Sequence, residues 1–262
     1  MSHIHVVIDD RVAEIVLDNP PQNRIGDQLS DDLLTAVEQA ESSGARAILL
    51  RAEGSDFSFG GDIVPWPDLD VRRLRTLLER YMFTFNRFEQ VPLPVVAAVN
   101  GLCFGGGFEL ALRSDVIFAG EGARFGHSEQ TIGIVTLLGG IYRSAARAGR
   151  ARAFEWALTS EQVPASTMAQ AGIVNHVVPD DEVVGTAREF AHKLAAGPTR
   201  AHAAHKALLR VWETAGAKAA DDAMFDIALP LFESKDVAIG LPSAVAALQA
   251  GLPRPAIDFT GE

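Results

Sequence analysis

The 262-residue chain predicts an α/β core followed by a helical tail, on three observations. Short β-branched or apolar runs alternate with longer amphipathic runs through about residue 180, the pattern of strands joined by right-handed crossover helices. From about Pro198 to Ala250 only helical periodicity remains, interrupted at Gly216, Pro230 and Gly240-Leu241-Pro242. A hydrophobic content of 48% is enough to fill a core at this length. The boundary falls between an α/β core over 1–197 and a helical region over 198–262.

The elements follow in order. Residues 4–8 and 12–17 are β-branched runs joined by Asp9-Asp10-Arg11, which reads as a hairpin. The prolines and polar residues of 19–24 break that pattern, and a helical periodicity then runs from Asp27 or Ser30 to a stop at Gly44. A buried strand over 45–52 leads into a loop at 55–63, built of small, polar and glycine residues with two phenylalanines embedded. Loops after strands are where α/β folds place ligands. Residues 71–90 form a long amphipathic helix, with Leu74, Leu77, Leu78, Tyr81, Met82 and Phe85 on one side and the cationic residues on the other. Strands at 94–99 and 114–119 flank a glycine-rich segment, and glycines at 126, 133, 139 and 140 cut the next stretch into short pieces. The helical tail packs on its own core or on a neighbouring subunit.

Charge and composition exclude several classes. A net charge of −11 and a pI near 5.1 argue against nucleic acid as the main partner, since phosphate binding relies on clustered Lys and Arg. The single cysteine, Cys103, leaves no internal disulfide framework and fits a reducing compartment, so a cytoplasmic location is expected. The N-terminal MSHIHVVIDD lacks the cationic start and long apolar run of a signal peptide. The most apolar stretch, Val91 to Leu112, is broken by Pro92, Pro94, Asn100 and glycines and carries Glu109, so no membrane partner is expected.

The chemistry concentrates in NGLCFGGGFELAL, from Asn100 to Leu112. Gly105, Gly106 and Gly107 let the backbone approach a ligand with no Cβ in the way. The apolar Leu110-Ala111-Leu112 fits a buried helix starting there, and the first amides of such a helix can hold an oxyanion. Glu109, three residues beyond Gly106, falls on the same face one turn in. Other templates fail. A dinucleotide fingerprint from Gly105 needs glycine at position 110, which is Leu110. A nucleophile elbow on Ser58 needs glycine where Asp56 stands, and no phosphate-loop Gly-Lys-Ser/Thr occurs. His202 and His205 are spaced as two ligands on a helix, but no paired cysteine or evident third ligand accompanies them, so no metal site is assigned.

Three segments remain: FSFGGDI at 57–63, AAVNGLCFGGGFELALRSD at 97–115 and ARFGHSEQTIGIVTLLGG at 123–140. Together they resemble the enoyl-CoA hydratase/isomerase (crotonase) family, whose pattern runs roughly FCAGADL, then AAVNGxxxGGGxELAL, then FGxPExxxGxxPGxGG. The likeness continues through LTSEQVPASTMAQAGIVNHVVPDDEV and covers nearly the whole chain. It implies a crotonase-like spiral β-sheet core surrounded by helices, and a C-terminal helical region that mediates homotrimers, alone or paired into hexamers. It also implies an acyl-CoA thioester substrate, with coenzyme A part of the substrate and no separate cofactor. By the resemblance, the two backbone donors of an oxyanion hole map onto Phe59 and Gly106, and the two carboxylates of the hydratase pair onto Glu109 and Glu129. Substrate contacts map onto Arg24, Gly61, Asp62, Ile63, Gly105 and Leu137. The chemistry is coherent, because an enolate formed from a thioester needs pre-aimed donors in a dry site. Two carboxyls sharing one water titrate as a coupled pair, which permits one acid and one base near neutral pH.

The departures from the pattern leave the reaction open. Thr136-Leu137-Leu138-Gly139-Gly140 stands where the family opens a helix with Pro-Gly-x-Gly-Gly, placing bulk near the expected acyl pocket. Phe59 replaces a small residue. His127-Ser128 precedes the second glutamate, and His127 is either a third acid/base group or, the preferred reading, a structural or surface residue. Arg24 suits a phosphate of coenzyme A but equally reads as a loop arginine, and Lys206 and Lys235 are further candidates for the nucleotide. Hydration of a 2-enoyl-CoA is the first expectation. The alternatives are double-bond isomerisation, decarboxylation or other enolate chemistry on the same thioester, and a non-catalytic acyl-CoA binder.

Overall fold

The structure, a computed structural model, describes residues 2–262; Met1, the first residue of the expected core region, lies outside the described residues. β1 (Ile4–Asp9) and β2 (Val12–Leu17) form an antiparallel hairpin with Ile4 opposite Leu17 and Asp9 opposite Val12. Asp10 makes its turn at φ 53°, a left-handed conformation that Asp tolerates. There follow α1 (Asp27–Ser42), β3 (Ala47–Ala52), α2 (Val71–Gln90), β4 (Val95–Val99), β5 (Leu102–Phe104), α3 (Gly106–Ala111), β6 (Val116–Gly120) and β7 (Arg124–Gly126). The chain continues through α4 (Gly140–Ala148), α5 (Arg150–Thr159), β8 (Val163–Pro164), α6 (Ala165–Gln170), β9 (His176–Val178), α7 (Val183–Ala195), α8 (Thr199–Ala228) and α9 (Lys235–Ala250). The larger sheet has the order β1-β2-β3-β4-β6-β9, antiparallel at its first pair and parallel thereafter. A smaller sheet, β5-β7-β8, pairs β5 parallel and β8 antiparallel to β7.

The central strands read as unbroken apolar runs because both faces of the sheet are covered. Successive side chains of a strand point to opposite faces. Ile48 and Leu50 of β3, with Val95, Ala97 and Val99 of β4, enter the larger core, where α1 and α2 contribute Leu29, Leu33, Phe85 and Phe88. Their alternates Ala47, Leu49, Val96 and Ala98 enter a second core closed by α7 through Val183, Ala187, Ala191 and Ala195. That four-residue spacing is one stripe of a helix, and its small side chains let the helix lie close on the sheet. α2 covers 71–90 as expected, and its start is fixed by Asp70, whose Oδ1 accepts from the Arg73 amide at 2.8 Å.

The turn between α7 and α8 contains the 197/198 boundary. α8 breaks at Gly216 (φ 82°), and Pro230 falls in a short 3-10 turn over Leu229–Glu233. The interruption expected at Gly240-Leu241-Pro242 does not occur: α9 runs straight through with Pro242 inside it. A proline removes one backbone donor, and the carbonyl it leaves without that donor belongs to Ala238, an exposed residue of α9. The tail returns to the core through Arg46, which donates to Thr199 Oγ1 at 2.8 Å and to the Phe259 carbonyl at 2.6 Å. No helix among the described residues is long and apolar enough to cross a membrane.

Candidate active site

The parallel strands β3 and β4 both end at the same edge, and the segments that leave them meet there. The loop after β3 carries Phe59-Gly60-Gly61, and the turn after β5 carries Gly105-Gly106. An isolated bridge pairs Ser58 with Cys103, which locks the two segments side by side. Their approach is too close for side chains. A Cβ on Gly60 (φ 91°) would stand 2.8 Å from the Phe104 carbonyl oxygen and 3.1 Å from the Gly106 nitrogen. Gly105 takes φ 49° and ψ −126°, a conformation open to glycine, and a Cβ there would stand 3.3 Å from Glu129 Oε1.

These constraints correct one assignment. The Phe59 amide is not free to hold an oxyanion, because it donates to the Gln22 carbonyl at 3.0 Å. The Gly61 amide, two residues on, has no acceptor among the described residues, and neither has that of Gly106. A Cβ on Gly106 would lie 3.5 Å from the Gly61 nitrogen, so the two free amides are neighbours, and both residues line one cavity of about 150 Å³. α3 is buried and starts at Gly106, as expected from the sequence; it is six residues long, so its field is small and the donors act as local amides.

Two carboxyl groups face that cavity. Glu109 is 2% exposed, and its Oε1 accepts from the amides of Leu138 and Gly140, both at 2.8 Å. Burial pushes its carboxyl up from the ordinary value, against those two amides and the positive charges of Arg113 and Arg143, which favour the ionised form. Glu129 opens a 3-10 turn over Glu129–Ile132. Its Oε2 is buried with no hydrogen-bond partner among the described residues. Burial first, and then the charge of Glu109, push the Glu129 carboxyl up to about 7. One carboxylate is thus solvated by two amides of a neighbouring loop, and the other keeps one oxygen without a partner and has only its own backbone amide in its favour.

Of the other residues singled out in the sequence, Arg24, Ile63, Gly105 and Leu137 line the cavity, as do Phe59 and Gly61. Arg24 is steadied by Gln22, whose Oε1 accepts from its Nε at 2.8 Å. Asp62 does not reach the cavity. Its amide donates to the Ile25 carbonyl, and its side chain packs toward Gly26 while accepting from the Val64 amide at 3.3 Å. His127 is buried, with Nε2 3.0 Å from Ser144 Oγ and its ring 4.9 Å from that of Phe108. Burial lowers it to about 4, so it is neutral at physiological pH. Lys206 is turned onto Asp115 Oδ2 at 2.8 Å, and Lys235 pairs with Glu262. The Thr136-Leu137-Leu138 departure has a distinct use for each residue. Thr136 Oγ1 accepts from the Ile141 amide at 3.2 Å, Leu137 forms cavity wall, and Leu138 lends its amide to Glu109.

Sequence reasoning missed the Gly61 donor, the two amides that hold Glu109, and the wall formed by Trp66, Leu78 and Tyr81. The last two were legible on the apolar side of α2. The amides carry no side-chain signal at all.

A buried pair of free amides beside two unequal carboxyls defines a site for reactions that build and quench an enolate. The enoyl-CoA hydratase/isomerase family model matches residues 8–241, and the chain belongs to that family. It is 32% identical over 198 residues to a probable enoyl-CoA hydratase of Bacillus subtilis (strain 168), covering 74% of this chain and 77% of that protein. It is also 32% identical over 218 residues to 2,3-dehydroadipyl-CoA hydratase of Escherichia coli (strain K12), covering 82% and 85%. A crystal structure of an enoyl-CoA hydratase subunit from Geobacillus kaustophilus HTA426 superposes with a TM-score of 0.89 at 30% identity, over 99% of this chain and 98% of the other. The crotonase fold, with its two mixed sheets and long C-terminal helix, is therefore established.

Proposed function

We propose that this crotonase-family acyl-CoA enzyme is an enoyl-CoA hydratase. The observation that carries the proposal is the inequality of the two carboxyls beside the Gly61 and Gly106 amides. The thioester oxygen of a 2-enoyl-CoA sits between those amides. Glu109, ionised, takes a proton from a water whose oxygen bonds to C3. The π electrons of the 2,3-double bond move to the thioester oxygen, where the two amides hold the enolate. Glu129, protonated, then delivers its proton to C2 as the carbonyl re-forms. Water is consumed and no redox change occurs. Two relatives described as hydratases support the choice of reaction.

In this reading Arg24 meets a phosphate of coenzyme A, and Ile63 and Leu137 flank the acyl chain, which their lining of the cavity supports. Exposed apolar residues of the tail, Trp212, Phe225, Phe232 and Leu248 among them, support assembly into trimers or hexamers. The composition supports a cytoplasmic location. The test is loss of the conjugated absorbance of short and medium 2-enoyl-CoAs. Wild type is expected to turn over, and Glu109→Gln to lose about 10²-fold or more in kcat; a wild type inactive at every chain length would sink the reading.

One observation favours a second reaction. Phe59 and Leu137 both wall the cavity with bulk, which leaves little room for a water beside an acyl chain. Double-bond isomerisation needs no water, and mass spectrometry of the product separates the two, because hydration adds the mass of water.

A further inference from the structure

A charged cluster lies behind Glu109, on the side away from the cavity amides, and the proposed reaction makes no use of it. Its centre is Arg113, one turn beyond Glu109 on the same chain segment, with a side chain 0% exposed. Arg113 Nη1 donates to the Glu109 carbonyl at 3.0 Å, and Nη2 donates to Asn86 Oδ1 at 3.3 Å. Its guanidinium carbon stands 5.0 Å from the Phe85 ring centroid. Its Nε has no hydrogen-bond partner among the described residues and lies 3.8 Å from Glu89 Oε2. Glu89, on α2, is itself gripped from the other side by Arg143 of α4, whose Nε donates to Oε1 at 2.8 Å and whose Nη2 donates to Oε2.

The connections close on themselves. α4 begins at Gly140, and the amides of Leu138 and Gly140 hold Glu109 Oε1. Arg143 pins that helix start to Glu89, Glu89 faces Arg113, and Arg113 returns to the backbone of Glu109. The circuit also has a net charge. Two guanidiniums against one carboxylate leave one positive charge behind Glu109, fully buried at Arg113 and partly screened at Arg143 and Glu89, whose side chains are 17% and 33% exposed. A buried charge is costly, and a guanidinium set among Phe85, Met82 and the end of α3, with Glu89 at 3.8 Å as its carboxylate partner, is not explained by packing alone.

We infer that Arg113, held by Glu89 and Arg143, is a positioning residue that fixes the Glu109 carboxyl against the Leu138 and Gly140 amides and keeps it ionised in the resting enzyme. The inference rests on the reading of Glu109 as the base. The groups that face Glu109 from the surrounding elements are few. Arg113 lies on its own segment and Arg143 on α4, with Glu89 on α2 beyond them. Glu129 stands in the 3-10 turn. His127 is next to Gly140, where a Cβ would meet both its Cε1 (2.6 Å) and Glu109 Cγ (2.9 Å). Of these, His127 is neutral, and the Arg113 and Arg143 charges are the ones that favour ionisation of Glu109.

The direction of the effect separates charge from packing. Arg113→Met removes one cation at nearly constant volume and is expected to move the titration midpoint of Glu109 up by about one pH unit, the usual size for an opposite charge at this range. Glu89→Gln removes the opposing carboxylate and is expected to move it down. Arg113→Lys keeps the charge and should titrate near wild type. The readout is carbon-13 NMR of protein carrying carboxyl-labelled glutamate, with the Glu109 resonance assigned by its loss in Glu109→Gln. The acid limb of kcat/KM should move the same way in each variant, with kcat lowered more than KM is raised. An unchanged midpoint in folded Arg113→Met, or both variants moving in the same direction, would overturn the inference. If Arg113→Met does not fold, Glu89→Gln alone decides, since a midpoint that stays or rises contradicts it. The NMR titration needs no turnover, so a wild type inactive on every enoyl-CoA would remove the hydratase reading while the ionisation of Glu109 was still measured.

Discussion

Replacing Glu129 by Gln should make the protein more stable at neutral and alkaline pH, and less able to catalyse. The Glu129 carboxyl rises from the ordinary 4.5 to about 7 on folding, mainly through burial, because its Oε2 has lost water and gained nothing. The sign follows from proton binding. The folded state holds the proton more tightly than the unfolded chain, so the stabilisation is full below about 4.5 and is lost as the pH rises to about 7. A difference of about 2.5 pH units at about 1.4 kcal/mol each gives about 3.5 kcal/mol, with the partial exposure of the group making this an upper figure. Gln has no proton to lose, so the stability of Glu129→Gln relative to wild type should climb by about 2 to 3 kcal/mol between pH 4.5 and 8. Urea unfolding of both proteins at each half unit of pH reads this directly, and the pair Glu109→Gln with Glu109→Gln/Glu129→Gln repeats it without the charge of the neighbour. The double comparison should show a smaller climb, because Glu109 supplies part of the shift. A stability difference that stays flat across that range would refute the reasoning, since it would mean that the Glu129 carboxyl is hydrated in the folded protein.

The same displacement predicts that kcat/KM falls as the pH rises through about 7, where Glu129 loses the proton it is proposed to deliver, and a pH profile at saturating and subsaturating substrate checks this. Gly106→Ala puts a Cβ 3.3 Å from Ile25 Cδ1 and 3.5 Å from the Gly61 nitrogen, in the space an oxyanion would take. The Gly106 amide remains but the Cβ obstructs the approach of an oxygen to it and to Gly61, so kcat/KM should drop by about 10²-fold, as if one such donor were lost, while the melting temperature moves little. His127 works in the opposite sense to Glu129. Burial lowers its ring from 6.5 to about 4, so wild type should lose up to about 3 kcal/mol as the pH falls across that interval, and His127→Leu should lack that slope in acid unfolding series.

The fold was legible to the degree that burial leaves a periodic trace. The hairpin, the apolar runs of β3 and β4 and the helix at 71–90 stand where hydrophobic patterning puts them, because both faces of the sheet and one face of α2 are covered. Pro242 was misleading because propensity argues against a helix that its neighbours nonetheless sustain. At the site, Glu109 and Gly106 could be read from the glycine triplet. The shift of the donor from Phe59 to Gly61 could not, because it turns on which amide the Gln22 carbonyl has already taken, a contact between residues that share no sequence pattern. Arg113 did leave a signal. It is a lone cation in ELALR, a segment otherwise fully buried, and such a charge has to have a partner.

Why two glutamates in one cavity should take different protonation states is answered by their backbones. Glu109 sits in α3, where its side chain meets the loop that opens α4, and that loop offers two amides with no other acceptor. An anion there is solvated by fixed dipoles, and the charge of Arg113 and Arg143 adds to them. Glu129 begins a 3-10 turn beside Gly105, whose conformation turns its own amide away to the Gly126 carbonyl, so Oε2 is left without a donor and only the Glu129 amide itself favours the ionised carboxyl. Each ionised glutamate also penalises the other. The first proton lost therefore comes from the carboxyl that has partners, and its charge then helps the second to keep its own. In the proposed reaction the acid and the base are chosen by which amides the local fold leaves free, and exchanging the roles would require moving the α4 loop rather than altering either glutamate.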